Sequence, residues 1–285
     1  MTQLSNHFDL NKTIKKSIGG GVTGASAMVI NVTSMMWLRT TMNYQYRYGI
    51  STNQAIKKLY SEGKIPRFYK GLLPALAQGP LSRFGDTACN VGVINYLDNN
   101  QHTKNFPVFI KTLCASFTAG LWRIFLMPID TLKTTLQVNG KPGLNILKKK
   151  IGKGGIKVLY YGSTASFSAT YVGHFPWFFT YNYLNKNLPN YNDNNLKKFS
   201  RNALIGFSSS CISDLCSNSI RVIKTTKQSH SEITSYKQII DNIIQKQGIN
   251  SLLFRGLKTR IISNGFQGMM FTVLWKYFME KNTIN

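Results

Sequence analysis

Apolar positions recur along this chain in broad stripes broken by small and polar residues. Six long stretches read as helices on that pattern, near residues 14–44, 72–98, 107–138, 163–187, 199–228 and 257–281. Between the members of successive pairs lie shorter basic amphipathic stretches, 52–62, 142–150 and 235–246. The first helix of a pair carries small-residue runs, such as Gly19-Gly20-Gly21-Val22-Thr23-Gly24 and Gly206-Phe207-Ser208-Ser209-Ser210. Runs of this kind let helix backbones approach closely where lipid supplies no hydrophobic drive to associate. No stretch has about 20 unbroken apolar residues, and the mean hydropathy is −0.14. A hydropathy scan would not by itself assign a membrane protein, but helices around a polar cavity need only one lipid-facing stripe, so the pattern admits an all-α membrane protein.

Three short patterns repeat with a common period. An aromatic residue, a variable one and Gly occur as Tyr69-Lys70-Gly71, Tyr160-Tyr161-Gly162 and Phe254-Arg255-Gly256, with glycines 91 and 94 residues apart. A base and two threonines occur as Arg39-Thr40-Thr41, Lys133-Thr134-Thr135 and Lys224-Thr225-Thr226, with bases 94 and 91 apart. A small residue, Gly21, Ala115 or Gly206, stands 18 positions before each base. A fixed period of this length marks tandem supersecondary units. The chain therefore divides into three helical hairpins, 1–101, 102–194 and 195–285, integrated as one domain.

Charge narrows the partners. Lys and Arg number 35 against 10 Asp and Glu, so an anionic surface or ligand is expected. The basic residues recur in Lys57–Lys70, Lys148–Lys157 and Lys237–Lys258 instead of forming one footprint, and no RNP-type or zinc-finger spacing accompanies them. Nucleic acid is accordingly not an expected partner. Cys89, Cys114, Cys211 and Cys216 have no C-x-x-C spacing and are expected to be free buried thiols, with no metal or other cofactor. Residues 1–9 carry neither an Arg nor an apolar core, so no targeting segment is evident there. No nucleophile–base pair suggests an enzyme.

Pro128-Ile129-Asp130-Thr131-Leu132-Lys133-Thr134-Thr135-Leu136-Gln137 resembles the mitochondrial carrier signature Pro-x-Asp/Glu-x-x-Lys/Arg. Together with the threefold aromatic–Gly element, and with Glu62-Gly63 and Gln247-Gly248 upstream of two of its copies, the resemblance covers essentially the whole chain. It implies six transmembrane helices in three pseudo-symmetric repeats, short amphipathic helices on the matrix side, and multi-pass residence in the mitochondrial inner membrane. It also implies that Pro128 kinks its helix while Asp130 and Lys133 join a ring of ion pairs closing the matrix side. Aligned on the bases, the proline is replaced by Ser34 and Ser219 and the acid by Met36 and Arg221. The matrix gate thus comprises Arg39, Pro128, Asp130, Lys133, Arg221 and Lys224, with one acid among four bases. At the other end, Tyr96-Leu97 and Tyr183-Leu184 lack the acid of the family's aromatic–acid pattern.

Charged side chains within membrane helices are functional suspects. Arg123 and Asp214 stand seven residues before Asp130 and Arg221, nearly two helical turns, and so share a face with the gate; Val29 takes that place in the first hairpin. Arg83 and Asp86 share another face. The family's contact points fall on Gln78, Ala169, Thr170 and Ser263, and His174 and Arg83 lie 12 beyond their glycines. Two arrangements stay open: a substrate site of Arg83, Arg123, Asp214 and His174, or permanent Arg123–Asp214 and Arg83–Asp86 pairs. Two bases and two acids suit a small zwitterionic substrate. Gly71, Gly162 and Gly256, with Lys70 and Arg255, open the even helices, and the resemblance implies bound cardiolipin there. Two roles are consistent with the eroded gates: a carrier moving a small metabolite by alternating access, or a structural accessory subunit of a larger inner-membrane complex of respiratory type.

Overall fold

The computed structural model describes the backbone of residues 10–189 and 195–283, and side chains over 28–189 and 196–270 except at 83, 87, 90, 91 and 95. Every regular element among them is helical. In order they are α1 (Leu10–Tyr48), α2 (Thr52–Phe68), α3 (Leu72–Asn99), α4 (Val108–Phe125), α5 (Met127–Asn139), α6 (Gly143–Gly154), a 3-10 turn (Ile156–Tyr160), α7 (Ser163–Asn187), α8 (Asn195–Ser229), α9 (Tyr236–Phe254) and α10 (Leu257–Thr283). The expected long helix 107–138 is divided into α4 and α5 at Leu126. Pro128 cannot donate to the carbonyl four residues back, and its ring crowds that turn. Ser219 lacks the ring, and α8 runs unbroken.

Local chemistry fixes the short helices. Ser51 and Ser235 each form a capping box with the Gln three residues on: Gln54 N donates to Ser51 Oγ at 3.4 Å, and Gln238 N to Ser235 Oγ at 3.2 Å. Gly71, Gly162 and Gly256 all lie in the left-handed region, with φ of 85°, 91° and 70°, where a Cβ would be strained. The even helices α3, α7 and α10 begin immediately after them, as expected.

The way these three glycines pack closes a ring. Gly71 abuts α5 at the Lys133 carbonyl and Gln137, Gly162 abuts α8 at the Lys224 carbonyl and Gln228, and Gly256 abuts α1 at the Met42 carbonyl and Tyr46. A buried cation from the same hairpin caps the neighbouring helix at each junction. Arg67 donates to the carbonyls of Gln137 (2.8 Å) and Val138 (2.7 Å), Lys150 to that of Gln228 (3.2 Å), and Arg255 to that of Tyr46 (3.1 Å). These groups satisfy carbonyls that a helix end leaves orphaned and oppose the negative end of its dipole.

Those contacts also correct the alignment of the first hairpin. Tyr46, Gln137 and Gln228 are 91 residues apart, as are Met42, Lys133 and Lys224. Asn31, Trp122 and Ser213, again 91 apart, each donate a side-chain hydrogen bond to a main-chain carbonyl of the adjacent even helix, at Gln267, Leu81 and Gly173. Thr40 and Thr131 likewise donate to the carbonyls of Phe68 and Leu159. The structural period of the odd helices is therefore 91 throughout. Arg39 stands at the position of Asp130 and Arg221, not of Lys133. Trp37 replaces the proline, Met42 the base, and Val32, not Val29, matches Arg123.

Polarity is inverted relative to a water-soluble bundle. Asn31, Thr40, Thr41, Asn43, Gln137, Ser209, Ser217 and Asn218 are buried, while Phe84, Phe125, Phe179 and Phe266 are at least half exposed. An outward apolar surface of this extent demands a partner or an apolar solvent. Among the described residues, α4 is long and apolar enough to cross a membrane by itself. The four cysteines are free, but Cys114 and Cys216 are exposed and Cys89 and Cys211 half-buried. The expectation of buried thiols thus fails, because the polar interior leaves small apolar groups on the outward faces.

Candidate functional site

The helices surround a cavity of about 380 Å³ whose charged lining comprises Arg39, Asp86, Arg123, Asp130, Lys133, Arg221, Lys224 and Arg260. Gln78, Ser82, Ser263, Asn264 and Gln267 supply polar groups between them. Six bases thus face two acids.

Asp130 sits at the proline break, 4% exposed. Lys133 Nζ lies 2.8 Å from its Oδ1, and Lys224 Nζ lies 2.7 Å from its Oδ2. Gln78 donates to Oδ1 at 3.1 Å and Gln228 to Oδ2 at 3.0 Å. One carboxylate therefore collects partners from α3, α5 and α8. Lys133 folds back one turn onto its own Asp130 and also reaches α3, donating to Gln78 at 2.6 Å. Lys224 makes the ion-pair link between helices. No second acid stands at this level, because Arg39 and Arg221 occupy the equivalent positions. Arg39 donates to Gln267 and Asn31, and Arg221 Nε donates to Ser217 Oγ at 3.2 Å.

The remaining charges pair differently from either expected arrangement. Arg123 meets Asp86 on α3 at 2.6 Å and also donates to Ser82. Asp214 meets Arg260 on α10 at 2.6 Å and accepts from Asn264. Arg123 and Asp214 do not pair, because each points to the even helix beside its own helix. The expected Arg83–Asp86 pair falls on Arg83, whose side chain lies outside the described residues. Arg260 was missed in the sequence; a base one turn beyond Gly256, on the cavity face, was the available signal.

Of the family contact points, Gln78 and Ser263 line the cavity, Gln78 as part of the Asp130 network. Ala169, Thr170 and His174 do not. Ala169 is 1% exposed, Thr170 donates back to the Ser166 carbonyl, and His174 Nδ1 shares a 2.6 Å hydrogen bond with Ser116 Oγ on α4. That face of α7 packs against its neighbours, so these three residues serve helix contacts. Among the residues expected to meet lipid, Arg255 is 7% exposed, donates to the Tyr46 carbonyl at the end of α1 and also lines the cleft at Gly256. Gly256 lines a separate cleft with Gly49, Ser51, Thr52 and Lys258, while Gly71 and Gly162 are packed against α5 and α8.

At the opposite end of the bundle, Lys111 pairs with Asp98 and donates to the Lys104 carbonyl at 2.7 Å. Arg201 donates to the carbonyls of Asn185 and Leu188 at 2.7 and 3.2 Å. Both ties join one hairpin to the next at the start of an odd helix.

A sequence model of the mitochondrial carrier protein family matches residues 104–192 and 195–282. No curated protein is similar enough to the chain to match it. The first hairpin, outside both matches, is the one with Trp37, Arg39 and Met42 at the motif positions. A match over more than half of the sequence, on helices that enclose a charged cavity floored by the Asp130 network, places this chain in the mitochondrial carrier family, whose members are transporters and not enzymes.

Proposed function

We propose that the chain carries a small anion with at least two negative charges across the mitochondrial inner membrane by alternating access through the central cavity. Six helices cross the bilayer on this reading: α1, α3, α4 with α5, α7, α8 and α10. The hairpins 1–101, 102–194 and 195–285 rock as three units around the cavity, and anionic phospholipid, including cardiolipin, sits at the clefts where even helices begin.

One observation carries the choice of substrate charge. Six bases and two acids line the cavity, and both acids already have partners, Asp86 in Arg123 and Asp130 in Lys133 and Lys224. Asp214, just behind the wall, is held by Arg260. The excess of bases over acids in this lining favours an anion over the zwitterion first expected. Arg221, whose Nε donates to a serine hydroxyl, is the guanidinium best placed to take it, through the planar fork that suits carboxylate or phosphate.

Reconstituted vesicles loaded and challenged with labelled dicarboxylates, tricarboxylates, phosphate or neutral amino acids test this reading. Exchange of an anion that falls at least tenfold in Arg221→Gln is expected; exchange confined to zwitterions would reject it. Replacement of two gate acids by Arg39 and Arg221 also favours a second role, as an accessory subunit of an inner-membrane complex. Co-migration with such a complex at fixed stoichiometry in mild detergent, with no exchange by the purified chain, would select that role.

A further inference from the structure

A second basic cavity lies away from the first, at the end of the bundle that carries the short helices. It measures about 200 Å³ and is bounded by the ends of α1 and α8 and by α9, with Arg47, His230, Lys246 and Arg255 among its lining and no acid. Part of this charge has a local explanation. Arg255 is engaged by the Tyr46 carbonyl, Ser251 and Gln247, and nearby Lys150 by carbonyls at the end of α8. Arg47 does not share in these caps. Its guanidinium lies 5.7 Å from the Tyr48 ring centroid, and its Nε is buried without a hydrogen-bond partner. A buried donor left in that condition is costly, the more so when charged.

The neighbours register the same crowding. Burial first, then Arg47, brings Arg255 down to about 10. Burial, Lys227 and Arg47 bring Lys150 down to about 8, and burial, Arg47 and Lys150 lower His230 against a smaller opposing effect of Glu232. Cations thus converge from α1, α6, α9 and the α9–α10 turn, and the carboxylate that acts on His230, Glu232, lies outside the lining.

We propose that this cavity binds a phosphate group, with Arg47 and Lys246 as its charged donors and the Thr226 and Asn242 side of the lining facing it. The tetrahedral anion offers acceptors to the Arg47 guanidinium that lines the cavity while neutralising the cluster. A free phosphate or pyrophosphate and a lipid phosphate headgroup share this chemistry.

The test uses the full chain in nanodiscs of phosphatidylcholine, titrated with inorganic phosphate and with pyrophosphate by calorimetry and thermal unfolding. Wild type and the central-cavity variant Arg221→Gln should both bind and be stabilised. Arg47→Gln should weaken binding about tenfold or more, the loss of one charge-assisted hydrogen bond. Lys246→Gln, at an exposed position, provides the same reading if Arg47→Gln does not fold. Nanodiscs doped with phosphatidic acid separate the sources: a lipid occupant blunts the response to added pyrophosphate, and a soluble one leaves it intact. Either result supports a phosphate site here. Absence of binding in both kinds of disc, or binding abolished by Arg221→Gln and retained in Arg47→Gln and Lys246→Gln, overturns it.

Discussion

Asp130→Asn tests the central network most directly. The substitution preserves shape and removes the charge that holds Lys133 at 2.8 Å and Lys224 at 2.7 Å. Asp130 is 5% exposed at the side chain and the two lysines 17% and 18%, so little water is available to compensate. Breaking a buried pair from one side costs about 3–5 kcal/mol, because the remaining charge stays buried and uncompensated. Here two ammonium groups would be left facing each other, which puts the loss toward the upper part of that range. The expected fall in unfolding temperature is on the order of 10 °C.

Light scattering or tryptophan fluorescence on heating should be used, since Cys114 and Cys216 are already exposed and a thiol dye would react before unfolding. Adding Lys224→Met to Asp130→Asn should recover at least half of the loss, because replacing both partners of a buried pair by neutral groups is often close to neutral. An Asp130→Asn chain within about 2 °C of wild type, or a double variant less stable than the single one, would refute the claim that one carboxylate organises this end of the cavity.

Other expectations follow from the same contacts. Arg67→Met should lose about 1.5–3 kcal/mol in thermal unfolding, and Arg67→Lys should recover less than half, since one ammonium cannot reproduce the fork on the Gln137 and Val138 carbonyls. Gly85→Ala would bring a Cβ to 1.8 Å from Trp122 Nε1, so the indole must move and lose its bond to the Leu81 carbonyl; a shifted tryptophan emission and a loss of about 1–3 kcal/mol are expected. For Lys150, burial and its basic neighbours lower the folded value to about 8, below the unfolded value of about 10.4. The unfolded chain then holds more protons between those values, so this lysine's contribution to stability is constant below about pH 8 and rises above it. The stability of wild type relative to Lys150→Gln should therefore increase from pH 8 to 10, and a flat or falling difference would count against it.

The helices and the glycines that open α3, α7 and α10 were legible because each has a local cause. Capping boxes, the aromatic–Gly turns and the proline break act within a few residues of where they are written. Pairing across helices was not, because face-sharing along one helix does not say which neighbour a side chain meets. Arg123 and Asp214 share a depth, yet each turns to the even helix beside it. The buried cap made by Arg67, Lys150 and Arg255 was equally hidden, since the three bases occupy different positions relative to their glycines.

The register of the first hairpin shows why chemical similarity misleads in a helix. Arg39-Thr40-Thr41 resembles Lys133-Thr134-Thr135 more closely than Met42-Asn43-Tyr44 does, so the bases invite alignment at 94 residues. A slip of three residues rotates a helical face by only about 60°, which leaves the polar stripe nearly where it was and gives the pattern nothing to object to. Backbone constraints are less forgiving. Gly49 and Gly140, with φ of 69° and 66°, follow α1 and α5 and are 91 residues apart; their amides bond the carbonyls of Gln45 and Leu136, again 91 apart. With that register, arginine stands at the acid position of the signature in two hairpins out of three. Lys133 and Lys224 then share Asp130, and arginine in place of two acids gives the chamber more bases than acids. Restoring an acid by Arg221→Asp should therefore weaken anion uptake while strengthening the hold on Lys224, and both effects appearing together would tie the altered gate to the choice of cargo.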